Sequence, residues 1–72
     1  MSERGMVKWF NENRGYGFIR LETDGRDVYV HYSNICGEGF RTLSEGEIVE
    51  FDLHEGERGL EARKVRASGR MS

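Results

Sequence analysis

The sequence predicts an all-β fold, a small five-stranded antiparallel Greek-key barrel. Three observations lead there. The 72 residues allow one domain at most. Five short segments are rich in β-branched and aromatic types or alternate apolar with polar, and no segment of useful length has a helical period. Ten glycines without a single proline indicate many turns with flexible connections. Five short strands are unstable as a flat sheet, whereas closure hides the edges and makes one core.

Residues 1–4 read as a frayed start. Residues 5–11 are a first strand, rich in bulky types. Residues 11–15 are a turn, and residues 16–21 a second strand. Here Ile19 and Leu21 share the inward face, which leaves Tyr16, Phe18 and Arg20 outside. Asp24-Gly25 marks the next turn. Residues 27–32 form a third strand, with Val28 and Val30 inward and Asp27, Tyr29 and His31 outward.

Ser33 is expected to cap a short helical turn through Asn34 and Ile35. Residues 37–41 and 42–46 are loops. Residues 48–54 alternate cleanly, with Val49, Phe51 and Leu53 inward. Residues 60–66 are the last strand, with Ala62 and Val65 the expected buried positions. Residues 1–66 are thus one domain, and residues 67–72 a polar tail expected to be disordered. A barrel of this strand number and size is an OB-fold.

Large rings outside a core need a reason. Tyr16 and Phe18 lie two apart on one strand, and Tyr29 and His31 repeat the spacing on the next. Antiparallel pairing sets such residues opposite each other, so the four rings form one patch. Flat surfaces beside cations are what single-stranded nucleic acid requires. The run from Arg14 to Phe18 also fits the start of the RNP1 motif, but Leu21 departs from it, the second aromatic strand follows rather than precedes, and no helices intervene. An RRM is therefore disfavoured.

The chain is similar to the cold-shock domain family of bacterial proteins. The resemblance rests on Val7-Lys8-Trp9-Phe10-Asn11, Arg14-Gly15-Tyr16-Gly17-Phe18-Ile19, Asp27-Val28-Tyr29-Val30-His31-Tyr32-Ser33, Gly39-Phe40-Arg41-Thr42-Leu43 and Val49-Glu50-Phe51, and spans nearly the whole chain. It implies an OB barrel that binds single-stranded RNA and DNA with little sequence preference. It also implies an ATP-independent chaperone that opens secondary structure, with roles in translation, transcription antitermination and cold adaptation.

Base stacking is implied for Trp9, Tyr16, Phe18, Tyr29, His31, Tyr32 and Phe40, with Phe10 at the edge. Polar contacts are implied for Lys8, Asn11, Asp27 and Arg41. Arg14 stands where lysine is usual, and its guanidinium can both stack and bind phosphate. Arg20 adds a cation on the ring face. Trp9 shares parity with the inward Val7, and Tyr32 with Val30, so a bulge or strand end must turn each ring outward. Leu60 replaces the family's usual proline.

The net charge of −2 places the weight of binding on stacking rather than bulk charge. Glu55, Glu57 and Glu61 are expected to form a separate acidic face that repels nucleic acid. The lone Cys36 and the separated His31 and His54 make neither a disulfide, a metal site nor a catalytic thiol, so no enzyme activity, cofactor or small-molecule substrate is expected. No apolar run is long enough to cross a membrane, and a cytoplasmic location is expected. A monomer is expected, with a strand-exchanged dimer as the alternative. The competing function is a protein-interaction module that seats a peptide on the rings.

Overall fold

Alternation along each strand buries one side of the chain, and closure brings those sides together. The computed structural model describes residues 2–36, 42–57 and 59–67. Its elements are β1 (Ser2–Asn11), β2 (Tyr16–Leu21), β3 (Asp27–His31), a 3₁₀ turn (Tyr32–Asn34), β4 (Ile48–Gly56) and β5 (Gly59–Ala67). The strands close in the order β1-β2-β3-β5-β4. Neighbours are antiparallel except at the closing seam, where β3 and β5 meet in parallel at Tyr29 and Glu61. The Ile35–Val65 bridge extends that seam. The all-β barrel predicted from the strand pattern is the one observed.

Among the described residues the core is wholly apolar. Val7, Ile19, Val28, Val30, Val49, Phe51 and Val65 are fully buried, and Phe51 is the largest of them. Full burial of such a side chain stabilises the fold by about 1.5–3 kcal/mol. Ala62 is also buried. Ala62 and Val65 lie three apart, which a regular strand cannot place on one face. The β4–β5 register shifts between Glu50 and Asp52, and Lys64 has φ +53°. That extra residue on β5 returns Val65 to the inside.

Two expected boundaries are corrected. Residues 2–4 are not frayed, because Ser2, Glu3 and Arg4 pair with Asp52, Phe51 and Glu50 of β4. Arg4 also forms an ion pair with Glu50 at 3.2 Å. At the other end Ala67 is still in β5, opposite Val49. The helical turn begins two residues earlier than expected, at Tyr32, and His31 rather than Ser33 caps it. The His31 Nδ1 accepts the Ser33 backbone N–H at 3.2 Å.

β1 serves two neighbours. Gly5 and Met6 pair with both β2 and β4. Beyond them the turn preceding β4 holds Val7, whose N–H donates to the Glu47 carbonyl at 2.9 Å and whose carbonyl accepts the Gly46 N–H at 2.8 Å. The last half of β1 is then free to follow β2 alone. This division lets one side of β1 close the barrel while the other carries the rings described next.

Candidate nucleic-acid interface

Val7 pairs with Ile19, but Trp9 pairs with Phe18, so Lys8 is an extra residue on β1. The bulge reverses the parity of the strand. Val7 remains buried and Trp9 turns out, 41% exposed. Gly17 makes this possible. A Cβ there would strike the Trp9 carbonyl oxygen and lie 2.7 Å from the Phe10 Cα. Only glycine lets β2 lie this close to the bulged backbone.

Four rings from β1, β2 and β3 then meet. Trp9 lies 5.7 Å from Tyr16 and 5.5 Å from Phe18, centroid to centroid. Tyr29 lies 5.9 Å from both Tyr16 and Phe18. Interplanar angles run from 33° to 72°, within the offset and edge-on arrangements that aromatic pairs favour. The expected facing of the two aromatic strands is present, and the register sets the pairs: Phe18 faces Tyr29, and Tyr16 faces His31. Each ring is steadied by its neighbours, so the surface is preorganised before any ligand arrives.

Tyr32 is turned outward by the end of β3, as its parity required. It is 48% exposed and stacks on His31 at 4.6 Å. Gly15 seats it: the Tyr32 N–H donates to the Gly15 carbonyl at 2.8 Å. A Cβ on Gly15 would lie 2.6 Å from Tyr32 Cδ2, and φ there is +81°. The glycines flanking Tyr16 therefore place two other rings, Trp9 and Tyr32.

The remaining candidates divide. Phe10 is half-buried against the core. Asn11 shapes the β1–β2 turn, its Oδ1 accepting the Asn13 and Arg14 N–H groups at 2.9 and 3.0 Å. Arg14 is exposed at that turn. Lys8 and Asp27 find each other, with Nζ at 3.2 and 3.3 Å from the carboxylate oxygens. This ion pair reaches across β2 from β1 to β3. Arg20 is exposed on β2. Phe40 and Arg41 lie outside the described residues.

The acidic residues are not segregated on another face. Glu61 is the register partner of Tyr29, and both Glu57 and Glu61 line a groove of about 750 Å³ with Phe18 and Tyr29. Glu61 is ion-paired with Arg63 at 3.4 Å in the same groove. The parallel seam is a long-range contact with no signature in local pattern, so neither Arg63 nor His54 stood out as neighbours of the rings. Among the described residues no cluster of His, Cys, Asp and Glu is suited to hold a metal ion.

A closed five-stranded barrel of this strand order, with an outward aromatic face, is an OB-type barrel. The chain belongs to the family described as the "'Cold-shock' DNA-binding domain", which matches residues 3–68. It is 57% identical over 63 residues to the cold shock-like protein CspLB of Listeria monocytogenes, covering 88% of this chain and 94% of that one. It is 54% identical over 63 residues to the cold shock protein CspB of Bacillus caldolyticus, covering 88% and 94%. With the cold shock-like protein CspC of Escherichia coli it shares 50% over 64 residues, covering 89% and 93%. The fold is also similar to a solved structure of Drosophila Unr CSD456, with a TM-score of 0.78 at 22% identity over 96% of this chain. The chain spans 27% of that longer protein.

Proposed function

We propose that this protein binds single-stranded RNA and DNA by stacking bases on Trp9, Tyr16, Phe18, Tyr29, His31 and Tyr32, and acts as an ATP-independent nucleic-acid chaperone. The observation that carries this reading is the three-strand cluster of Trp9, Phe18 and Tyr29, with ring centroids 5.5 and 5.9 Å apart on the outer surface. Base stacking on such a ring contributes about 1–3 kcal/mol. Several stacks give useful affinity without base-edge recognition, which accounts for weak sequence preference.

Duplex bases already stack on each other and cannot reach the rings. Binding therefore pulls hairpins open by mass action. At a protein concentration of about 100 times Kd the open strand gains about 2.7 kcal/mol. That offsets about two base-pair steps at roughly 1.4 kcal/mol each. The effect melts weak structure and leaves long stems intact. Family membership supports roles in translation and antitermination, in the cytoplasm and as a monomer. Among the described residues no helix is long and apolar enough to cross a membrane.

The test is a fluorescence titration of Trp9 with a pyrimidine-rich single strand, its matched duplex and proline-rich or hydrophobic peptides. Strong quenching by the single strand alone is expected. Equal affinity for strand and duplex would sink the stacking mechanism, and quenching by peptides alone would replace it with a protein-interaction module.

A further inference from the structure

The large apolar residues exposed on the surface are four among those described: Trp9, Tyr32, Met6 at 49% and Ile48 at 37%. The first two belong to the ring face. Met6 and Ile48 do not, yet they are register partners across β1 and β4. Met6 is also the partner of Arg20 on β2. Arg20, Met6 and Ile48 therefore form one row across β2, β1 and β4, and they line a groove of about 480 Å³ that reaches the β2–β3 turn.

This row continues the ring face. Arg20 is the next outward position on β2 after Tyr16 and Phe18. Two residues of strand advance about 6.6–6.8 Å, comparable with one step of an extended single strand. Arg20 is also an available cation, with no ion pair among the described residues. Its neighbouring carboxylates are engaged elsewhere: Asp24 holds Arg26 at 2.7 Å, and Asp27 holds Lys8 at 3.2 Å. Glu22 is the one remaining acid in the groove.

We propose that Arg20, Met6 and Ile48 are a further nucleotide subsite, beyond the Lys8–Asp27 bridge, in which the guanidinium takes a phosphate and the apolar pair supports the sugar or base. The proposal rests on the single-strand reading above. It commits to a nucleic-acid occupant because the row is continuous with the ring face and ends on a cation with no ion pair among the described residues. The shelf has no ring, so its contribution is smaller than that of a stack.

The test is Trp9 titration with oligothymidylates of about 4–16 nucleotides, the footprint range of OB folds, on the wild type, Arg20→Gln and the double variant Met6→Gln/Ile48→Thr. Short oligomers should bind all three equally. Longer ones should bind the wild type about three- to tenfold more tightly than either variant. With Arg20→Gln the salt slope for long oligomers should also fall by about 0.7, and Arg20→Lys should restore it. These residues are exposed, and thermal melting checks that the variants fold; the double variant keeps the test open if Arg20→Gln does not.

Equal affinities of wild type and variants at every length overturn the subsite. A loss shared equally by short and long oligomers also overturns it, because these residues then serve the ring face itself. Failure of the wild type to bind any oligomer overturns the underlying single-strand reading instead.

Discussion

Trp9 and Phe18 face each other across β1 and β2 only because Lys8 is an extra residue between Val7 and Trp9. The two rings lie 5.5 Å apart at 52°. Without the bulge Trp9 would share the buried side with Val7, and the barrel would carry a smaller aromatic surface. The pair links a backbone irregularity directly to the surface available for stacking.

Phe18 is half-buried between Trp9 and Tyr29 and is not part of the buried core. Phe18→Ala should therefore weaken single-strand binding by about 1–3 kcal/mol, or roughly five- to 150-fold. Its melting temperature should change little. Calorimetry and titration of the same sample separate the two effects. Unfolding of the variant would mean that Phe18 supports the barrel rather than the ligand.

Gly17→Ala should act in the opposite order. Its Cβ would meet the backbone of Trp9 and Phe10, which cannot move without separating β1 from β2. A loss of about 1–3 kcal/mol is expected, as for an overpacked core site. Urea denaturation followed by Trp9 emission measures it, and the folded fraction should bind less tightly because Trp9 is displaced. A variant as stable as the wild type would show that the bulge has slack.

Asp27→Asn removes one partner of the Lys8 ion pair. Both side chains are about half exposed, at 42% and 52%, so solvent screens the interaction. The change in unfolding free energy should stay below about 1 kcal/mol. Chemical denaturation at low and moderate salt checks this. A larger loss would assign the bridge a structural task across β2.

Salt dependence tests the balance between faces and charge. The net charge is −2, and Lys8, Arg4, Arg26 and Arg63 are each engaged by a carboxylate. The plot of log affinity against log salt should have a shallow slope, about 0.7 for each phosphate contacted on a single strand. A steep slope would mean that the ion pairs open on binding and release their cations to phosphates.

Much of this protein was legible in local pattern. Alternation placed Ile19, Leu21, Val28, Val30, Val49, Phe51 and Leu53 inside; the first six are buried, and Leu53, toward the end of β4, is only partly buried against the core. The same rule set Tyr16, Phe18, Tyr29 and His31 on one outer face of two adjacent strands, and the register supplied the partners, Phe18 with Tyr29 and Tyr16 with His31. Both features depend on the two-residue period of a strand, which the sequence states directly.

Tertiary structure decided what that period cannot express. Trp9 and Tyr32 violate the alternation, and their outward turn required the Lys8 bulge and the 3₁₀ turn at Tyr32, with Gly17 and Gly15 giving the space. Pairing of Ser2, Glu3 and Arg4 with β4, and of Glu61 with Tyr29, came from contacts between segments far apart in the chain. So did the meeting of Lys8 with Asp27 and of Met6 with Ile48. Residue type and spacing determine which side of a strand a side chain takes. Only barrel closure determines which strand lies next to it, because that neighbour is chosen by burying one shared core.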